Sequence, residues 1–214
     1  MKKPLAIDLF CGLGGWTEGL LAEGYEVIGF DIERHVYGDH RYPAQLVLQS
    51  VLTLHGSQFK DADLIVASPP CQAYSYRAMP WKRAKALPPP DNSLFEACFR
   101  IQREASVAAG RHIPMVVENV KGAQKWVGRA RWNLGSFYLW GDVPALMPVA
   151  SPRKNSGGSW FAIGSPGQKV TGENPVHGKR NAPRGTARGK AASALIAKIP
   201  FVLSQHIARS WKPI

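Results

Sequence analysis

Three short apolar runs, each delivering polar or glycine residues at its carboxyl end, constrain the fold of this chain most strongly. They occupy residues 5–10, 64–67 and 115–120. A short apolar run bounded by turn residues is typical of a buried strand. In an open α/β sheet, ligands and reacting groups gather beyond the carboxyl ends of such strands. The pattern therefore predicts an α/β fold with a mostly parallel sheet and directs attention to the residues that follow each run.

The run at 64–67 leads into Ser-Pro-Pro-Cys-Gln at residues 68–72. The two prolines stiffen the turn, so Cys71 is predicted on a rigid loop just past a strand end. A thiol in that place is a candidate nucleophile. The alternative is that Cys71 is a buried packing residue, which is the reading we adopt for Cys98 in the amphipathic stretch 92–109.

The first run ends in Cys-Gly-Leu-Gly-Gly at residues 11–15, and residues 16–22 have helical character. Strand, glycine turn and helix in this order are typical of a nucleotide-type site, where glycines let backbone approach a ligand. Asp31 follows the next apolar run, roughly twenty residues on, where an acidic side chain can bind ribose hydroxyls. The alternative role for Asp31 is a turn former. No lysine and serine or threonine follow the glycines in the P-loop pattern.

The third run carries Glu118 and Asn119 near its end. Three predicted strands thus bring a glycine turn, a cysteine and a glutamate to one edge of a sheet. Convergence of this kind favours a chemical site over packing. For Glu118 alone, a surface carboxylate at a strand end is the simpler alternative.

Three ordered blocks carry a family resemblance: Asp-Leu-Phe-Cys-Gly-Leu-Gly-Gly at 8–15, Pro-Pro-Cys-Gln at 69–72, and Glu-Asn-Val at 118–120. Together they resemble the signature of the cytosine-5 DNA methyltransferases that use S-adenosylmethionine, in the family's unpermuted order. The resemblance covers residues 4–122 well. It implies a Rossmann-like class I methyltransferase fold, with a mostly parallel sheet and helices on both faces.

The resemblance also implies a mechanism and the residues that carry it out. Cys71 would attack carbon 6 of cytosine, and Glu118 would bind ring nitrogen 3 and the exocyclic amine. Glu118 then needs its proton, so we expect burial to raise its pKa. Asn119 would hold the loop and the base. Arg131, which precedes the strand-like residues 135–140, is the candidate for contact with the cytosine.

For S-adenosylmethionine, the resemblance implies adenine stacking by Phe10, ribose binding by Asp31, and backbone approach at the glycine turn. The chain departs from the family at two positions, because Ile32 replaces a bulky aromatic residue and Ser50 replaces an aspartate. A serine can still form a hydrogen bond to adenine. The full implied set around the donor is Asp8, Phe10, Gly12, Gly14, Gly15, Asp31, Ile32, Ser50 and Pro69.

The formal net charge of +12 favours a polyanionic partner. Without a basic amphipathic helix, nucleic acid is favoured over an acidic membrane surface. Basic and aromatic residues alternate through residues 73–90, which suits phosphate contact and base stacking. We interpret this segment as a mobile loop that closes over an extruded base. Its charges also fit a merely solvated face.

Three regions are predicted: a catalytic domain at 1–150, a basic insert at 151–190, and a C-terminal helix at 191–214 that packs back on the catalytic domain. The insert is rich in glycine and proline and cannot bury enough apolar surface to fold alone. It is interpreted as a minimal DNA-recognition element, with a disordered linker as the alternative. Because it is small, we expect a short target sequence or help from a second subunit in a homodimer.

Three cysteines without metal-type pairs indicate a reducing, cytoplasmic location and no metal site. No stretch is judged long and apolar enough to span a bilayer, and no signal peptide is recognised. The sequence thus predicts cytosine-5 methylation of DNA. Two alternatives remain open, namely the same reaction on RNA, and a DNA-binding regulator with a vestigial site.

Overall fold

A seven-stranded, mostly parallel sheet organises the chain in the computed structural model, which describes residues 2–147 and 187–213. The spatial order is β5-β2-β1-β6-β7-β9-β8. The first five strands of this order pair in parallel, whereas β9 is antiparallel to both β7 and β8. The strands are β1 (Leu5–Leu9), β2 (Glu26–Asp31), β3 (Val36–Tyr37), β4 (His40–Arg41), β5 (Gln45–Leu48), β6 (Leu64–Ala67), β7 (Met115–Asn119), β8 (Trp132–Leu134) and β9 (Phe137–Gly141). β3 and β4 form a separate hairpin.

Helices lie between the strands and after them. They are α1 (Gly15–Ala22), α2 (Gln72–Arg77), α3 (Lys82–Lys85), α4 (Ser93–Ala109), α5 (Gln124–Val127), α6 (Ala187–Ala197) and α7 (Phe201–Ser210). Short 3₁₀ turns occupy Val51–Thr53, Gly56–Phe59 and Lys121–Ala123.

The sheet buries both of its faces, which explains why its central strands are almost wholly apolar. On β6, Ile65 joins the core cluster that contains Phe95 and Ile101 of α4. Its neighbour Val66 points the other way and joins the cluster that contains residues of α1 and α7. Helices therefore cover both faces of a mostly parallel sheet, and the predicted fold class is confirmed.

The C-terminal helix α7 packs against α1. A side chain at Gly19 would meet the main chain of Ser204, with a Cβ atom only 2.4 Å from its carbonyl carbon, so glycine is required for this close approach. Arg209 forms an ion pair with Glu23, with 2.7 Å between Nη2 and Oε1. Residues 189–210 have the length and hydropathy of a membrane span, contrary to the sequence-based expectation. Pro200 separates the segment into two helices, and Leu203 of the second is buried against α1.

The chain forms two compact units, residues 1–148 with 199–214, and residues 149–198. The predicted recognition insert at 151–190 lies outside the described residues except for its last four, which belong to α6. The predicted domain boundaries therefore stay predictions.

Candidate active site

The carboxyl ends of five parallel strands meet at one edge of the sheet. β1 leads into the glycine turn, β2 ends at Asp31, and β5 leads to Ser50. β6 leads to Cys71, and β7 ends with Glu118 and Asn119. The register between β6 and β7 pairs Ala67 with Val117, so the residues that carry the predicted chemistry begin side by side.

The glycine turn after β1 has an unusual backbone. Phe10 has φ +58°, a left-handed conformation that costs a non-glycine residue on the order of 1–2 kcal/mol. Gly12 and Gly14 also have positive φ, and Gly14 N–H donates to the carbonyl oxygen of Cys11 at 2.7 Å. A Cβ atom at Gly14 would lie 2.5 Å from the Pro43 ring, whereas one at Gly12 would meet nothing within 4 Å. The turn is thus packed on one side and open beside Gly12.

Asp31 fixes this turn from the end of β2. Its Oδ2 accepts the Gly12 N–H at 2.9 Å, and its Oδ1 accepts the Ile32 N–H at 2.8 Å. His35 lies 3.6 Å from Asp31 Oδ1 and 3.4 Å from a Glu33 oxygen. The carboxylate therefore lies beside the open space at Gly12, with its position set by main-chain donors.

Asp8 is a buried carboxyl group beneath the turn. Thr17 Oγ1 donates to its Oδ2 at 2.6 Å, and the Tyr42 hydroxyl lies 2.7 Å from Thr17 Oγ1. Its Oδ1 is buried and has no hydrogen-bond partner among the residues that the structure describes. Burial, with a smaller contribution from the charge of Asp31, raises the pKa of Asp8 to about 7 despite the Thr17 hydrogen bond. A buried acceptor without a partner indicates a missing donor or a proton on the carboxyl group.

The remaining residues of the implied donor set also lie around this edge. Gly15 is buried at the start of α1, and Ile32 is 75% exposed. Ser50 caps the 3₁₀ turn after β5, next to Gln49, whose N–H donates to the Asp31 carbonyl oxygen at 2.8 Å. Their contact with a donor remains a prediction.

Cys71 is partly buried and caps the N-terminus of α2. Burial raises the pKa of its thiol, the Ser75 side chain lowers it by hydrogen bonding, and the nearby Glu118 carboxylate raises it further. The sulfur is therefore outside the apolar core and close enough to Glu118 for the two groups to interact electrostatically. At rest, the thiol is protonated.

Glu118 is 8% exposed and lies next to Ser68. Burial raises its pKa to about 8, although a hydrogen bond with the Ser68 side chain opposes the shift. Trp16 Nε1 donates to Ser68 Oγ at 2.9 Å, which leaves the serine proton for the carboxylate. The direction of the shift agrees with the sequence-based expectation for this residue.

Asn119 joins the two strand ends. Its Nδ2 donates to the main-chain oxygen of Pro69 at 2.9 Å, and its Oδ1 accepts the Val120 N–H at 2.8 Å. Pro69 is buried, so this is a fixed contact between the end of β7 and the loop that carries Cys71. The sequence predicted that Asn119 holds this loop, and the geometry is consistent with that role.

Residues 73–90 contain two short helices, α2 and α3. Arg77 is one of the basic residues of the segment that the sequence analysis interpreted as suited to phosphate contact. It instead donates from Nε to the Pro88 oxygen at 2.8 Å and from Nη1 to the Ala73 oxygen at 2.9 Å. Trp81 stacks edge-on against Tyr76. The exposed cations of this segment are Lys82, Arg83 and Lys85.

Arg131 lines a separate cavity of about 440 Å³ that neither Cys71 nor Glu118 lines. Contact between Arg131 and cytosine remains a prediction. The other two cysteines are packing residues: Cys98 lies in the core, where burial raises its pKa to about 12, and burial also raises the pKa of Cys11. No cluster of metal-ligating side chains occurs among the described residues.

Comparison with known proteins gives a consistent result. Residues 5–128 match the family model described as C-5 cytosine-specific DNA methylase. The chain is 27% identical over 134 residues to the type II methyltransferase M.XorII of Xanthomonas oryzae, covering 57% of this chain and 29% of that protein. It therefore spans less than a third of the length of this relative.

Two solved structures are also similar. One is the S. pombe Dnmt2 methyltransferase, with 17% identity, a TM-score of 0.39, and coverage of 59% of this chain and 37% of that chain. The other is described as a DNA modification methyltransferase of an E. coli prophage, with 23% identity, a TM-score of 0.40, and coverage of 59% and 35%.

Proposed function

Because the chain belongs to the C-5 cytosine-specific DNA methylase family, we propose that it transfers a methyl group from S-adenosylmethionine to carbon 5 of cytosine in DNA. The observation that carries the proposal is the pairing of a thiol and a protonated carboxyl group. Cys71 follows β6, Glu118 lies near the end of the adjacent strand β7, and the two groups interact with each other. Asn119 hydrogen-bonds to Pro69 and so joins the end of β7 to the loop that carries Cys71.

The glycine turn fits the donor. Gly12 borders open space, Asp31 stands beside it, and the buried Asp8 oxygen lacks a partner. Phe10 has a left-handed backbone conformation at the start of the glycine turn. Its side chain is partly exposed and is available to stack on adenine. When bound here, S-adenosylmethionine supplies an electrophilic methyl group.

The thiol and the carboxyl group then make carbon 5 of cytosine a nucleophile. Cys71 releases its thiol proton to solvent and its sulfur bonds to carbon 6, while Glu118 gives its proton to ring nitrogen 3. The electron pair of the former double bond becomes available at carbon 5, which accepts the methyl group. Loss of the carbon 5 proton to solvent and cleavage of the sulfur–carbon bond restore the ring, the thiol and the proton on Glu118.

The raised thiol pKa determines when the sulfur of Cys71 becomes nucleophilic. Burial and the Glu118 carboxylate both disfavour a thiolate in the free protein. The thiolate is therefore favoured only while Glu118 keeps its proton, so attack by the sulfur accompanies proton transfer from Glu118 to ring nitrogen 3. This limits reaction of the resting enzyme with other electrophiles.

The family and the positive charge of the chain support DNA as the substrate. The chain carries 27 Lys and Arg against 15 Asp and Glu. Cytosine carbon 6 is stacked within a duplex, so the base has to be extruded to reach Cys71. The exposed cations Lys82, Arg83 and Lys85 follow Cys71 closely along the chain and suit contact with the flanking backbone.

Covalent trapping tests the mechanism. Duplex DNA with 5-fluorocytosine is incubated with the full chain and S-adenosylmethionine, because fluorine at carbon 5 blocks the final elimination. We expect a protein–DNA adduct that survives denaturation with the wild type and with Cys98→Ala, and none with Cys71→Ser. A Cys71→Ser variant that methylates at the parental rate contradicts the mechanism.

Bisulfite sequencing of plasmid DNA from cells that express the chain identifies the methylated position and its sequence context. Parallel incubation with transfer RNA separates the two nucleic acids. Methylation of DNA alone supports the proposal, and methylation of RNA alone overturns the choice of substrate. Binding of DNA without methylation or trapping identifies a regulator with a vestigial site.

A further inference from the structure

A hydrogen bond between two side chains connects the start of α1 to the loop that carries Cys71. Trp16 is the second residue of α1, and its Nε1 donates to Ser68 Oγ with 2.9 Å between the two atoms. Trp16 is 2% exposed and belongs to the core cluster on the face of the sheet that α1 and α7 cover. An indole nitrogen can only donate. The contact therefore occupies the oxygen of the Ser68 hydroxyl group and not its proton.

Ser68 and Glu118 lie side by side on this same face of the sheet. Each of them follows directly after the last residue that pairs β6 with β7. Two positions earlier, Val66 and Val116 both belong to the cluster that contains Trp16. Because side chains alternate between the two faces along a strand, the Ser68 and Glu118 side chains lie on the side of Trp16. The three side chains are thus brought together by the register of the sheet and by α1.

Both ends of the contact between Trp16 and Ser68 are held in place. Thr17, the next residue of α1, donates from Oγ1 to the buried Asp8 Oδ2 at 2.6 Å. The Ser68 N–H donates to the Leu9 oxygen of β1 at 3.1 Å, so the loop leaves the sheet only after this residue. A side chain can orient a reacting group precisely only if its own position is fixed by packing and hydrogen bonds. Trp16 meets this requirement.

The Ser68 hydroxyl group has one proton and two lone pairs. Since Trp16 supplies a donor to the oxygen, the hydroxyl proton is left for an acceptor, and Glu118 is the neighbouring carboxyl group that Ser68 hydrogen-bonds. Cys71, the titratable group that interacts with Glu118 from the next loop, is protonated at rest. Leu139 of β9, which pairs with Glu118 from the other side, is apolar. Ser68 therefore decides how the Glu118 proton is placed.

We propose that Trp16 is a positioning residue that sets, through Ser68, which oxygen of Glu118 carries the proton. The indole N–H holds the Ser68 oxygen, and the Ser68 hydroxyl donates to one Glu118 oxygen. The acidic proton stays on the other oxygen, where ring nitrogen 3 of cytosine takes it. The same hydrogen bond stabilises the carboxylate that remains after the transfer, so it makes Glu118 a stronger acid. The inference rests on the proposed function, because it takes Glu118 as the proton donor to cytosine.

The first test measures the pKa of Glu118 in the full chain, without DNA or methyl donor. Glutamate carboxyl carbons are isotope-labelled and titrated by NMR, and the Glu118 signal is identified by its loss in Glu118→Gln. Its pKa in the wild type is about 8. We expect Ser68→Ala to raise it by about 1, as for loss of one hydrogen bond to a charged group, and Trp16→Phe to raise it as well. An unchanged pKa in Ser68→Ala overturns the proposal.

Trp140→Phe is the matched control for Trp16→Phe. Trp140 is 5% exposed, its Nε1 donates to the Gly128 oxygen at 2.9 Å, and it belongs to the core cluster on the opposite face of the sheet. Its substitution removes the same atoms and one hydrogen bond but leaves Ser68 untouched, so the pKa of Glu118 should stay at the parental value. Equal changes in the two tryptophan variants mean that Trp16 acts by packing alone, which overturns the proposal.

The double variant Trp16→Phe, Ser68→Ala tests the route through the serine. If Trp16 acts through Ser68, its substitution should add nothing once the hydroxyl group is gone. Additive changes contradict that route. Where Trp16→Phe does not fold, hydrogen exchange of the Trp16 indole N–H replaces it as the readout. Exchange should be faster in Ser68→Ala than in the wild type, with the Trp140 indole unchanged, and equal exchange overturns the proposal.

Trapping with 5-fluorocytosine DNA connects the contact to the reaction. We expect Trp16→Phe and Ser68→Ala to form the adduct about threefold more slowly than the wild type and Trp140→Phe, because the rate of proton transfer follows the strength of the acid. Equal rates in all four proteins contradict the positioning role. If no protein is trapped while the pKa differences persist, the enzymatic function is lost but the link from Trp16 to Glu118 stands. Normal trapping without pKa differences sinks the link and leaves the enzymatic function.

Discussion

The side-chain amide of Asn119 donates a hydrogen bond to the main-chain oxygen of Pro69, with 2.9 Å between the two atoms. This contact joins residues that lie 50 positions apart in the chain and at the ends of adjacent strands. Because Asn119 directly follows Glu118, and Pro69 comes two residues before Cys71, it sets the separation of the two proposed reacting groups. Both partners are buried, so water cannot replace either of them.

Replacing Asn119 by Asp keeps the shape of the side chain but removes the donor. A buried Pro69 oxygen without a partner should cost about 1–3 kcal/mol of the free energy of unfolding. We also expect the rate of adduct formation to fall, because the Cys71 loop loses its anchor. Urea unfolding and trapping measure the two effects. Asn133→Asp, at an exposed position, should retain parental stability, and an unaffected Asn119→Asp contradicts the anchoring role.

The sequence predicted the helices and strands that are determined by residues close together in the chain. Residues 64–67 are all apolar, as is expected for a strand that is buried on both faces of the sheet. The structure confirms this strand as β6, with the same bounds. The helical pattern at 92–109 likewise corresponds to α4, with Cys98 fully buried. For Glu118, the mechanism implied by the family resemblance led to the expectation of a raised pKa, and burial at the end of β7 provides its cause.

The parts that were missed depend on partners distant in the chain. Thr17 lies 25 residues from Tyr42, and Trp16 lies 52 residues from Ser68. None of these side chains carries a local signal of its partner, because the contacts arise only when the sheet forms. The guanidinium group of Arg77 is of a type that binds phosphate, yet it donates to two carbonyl oxygens of its own loop.

The strand prediction at 135–140 was shifted, since β9 begins at Phe137 and the preceding residues form a turn from β8. Gly135 has φ +58° and makes this tight turn feasible. The short β8 was missed because three residues give no periodicity to detect. The cavity that contains Arg129 and Arg131 was therefore not foreseen either.

The raised pKa of Glu118 predicts a pH dependence of stability. Its ordinary pKa is 4.5 and its folded value is about 8. Between these values the native state keeps a proton that the unfolded chain has released, so the contribution of Glu118 to stability is greatest below pH 4.5 and decreases as the pH rises towards 8. The slope reaches about 1.4 kcal/mol per pH unit for one group. Asp8 adds a similar slope that ends near its folded pKa of about 7.

Glu118→Gln should remove its share of this dependence. Between pH 7 and 8, where Asp8 completes its ionisation and Glu118 still keeps most of its proton, urea unfolding should show a falling stability for the wild type and a much smaller decrease for the variant. Asp8→Asn provides the matched case, because it should flatten mainly the range below pH 7. A Glu118→Gln variant with the parental slope between pH 7 and 8 shows that Glu118 is ionised there.

Alanine substitutions at two glycines of the turn should differ in their effect on stability. Gly14 combines φ +77° with a Cβ position 2.5 Å from the Pro43 ring, so Gly14→Ala should cost more than about 2 kcal/mol of stability. Gly12 has φ +50° but borders open space, so Gly12→Ala should cost only about 1 kcal/mol. Its methyl group enters the space assigned to the donor.

Calorimetric binding of S-adenosylmethionine, paired with urea unfolding, separates the two variants. We expect Gly12→Ala to lose at least about tenfold in affinity, equivalent to 1.4 kcal/mol, at nearly parental stability. Gly14→Ala should instead lose stability first. Full donor affinity in a folded Gly12→Ala protein means that the donor binds elsewhere.

The hydrogen bonds of Arg77 should restrict the motion of the loop after Cys71. Its guanidinium group bonds to the carbonyl oxygens of Pro88 and Ala73, and so closes residues 78–88 into a folded loop. Arg77→Met keeps most of the aliphatic stem but removes both bonds. We expect faster amide hydrogen exchange across residues 78–88, with the exchange of the strands unchanged, and slower adduct formation at Cys71. Arg83→Met removes an exposed cation of the same loop and should leave the exchange at the parental rate. Similar exchange in both variants shows that the loop is held by its apolar contacts, such as the buried Tyr74 and Ala84, and not by the Arg77 hydrogen bonds.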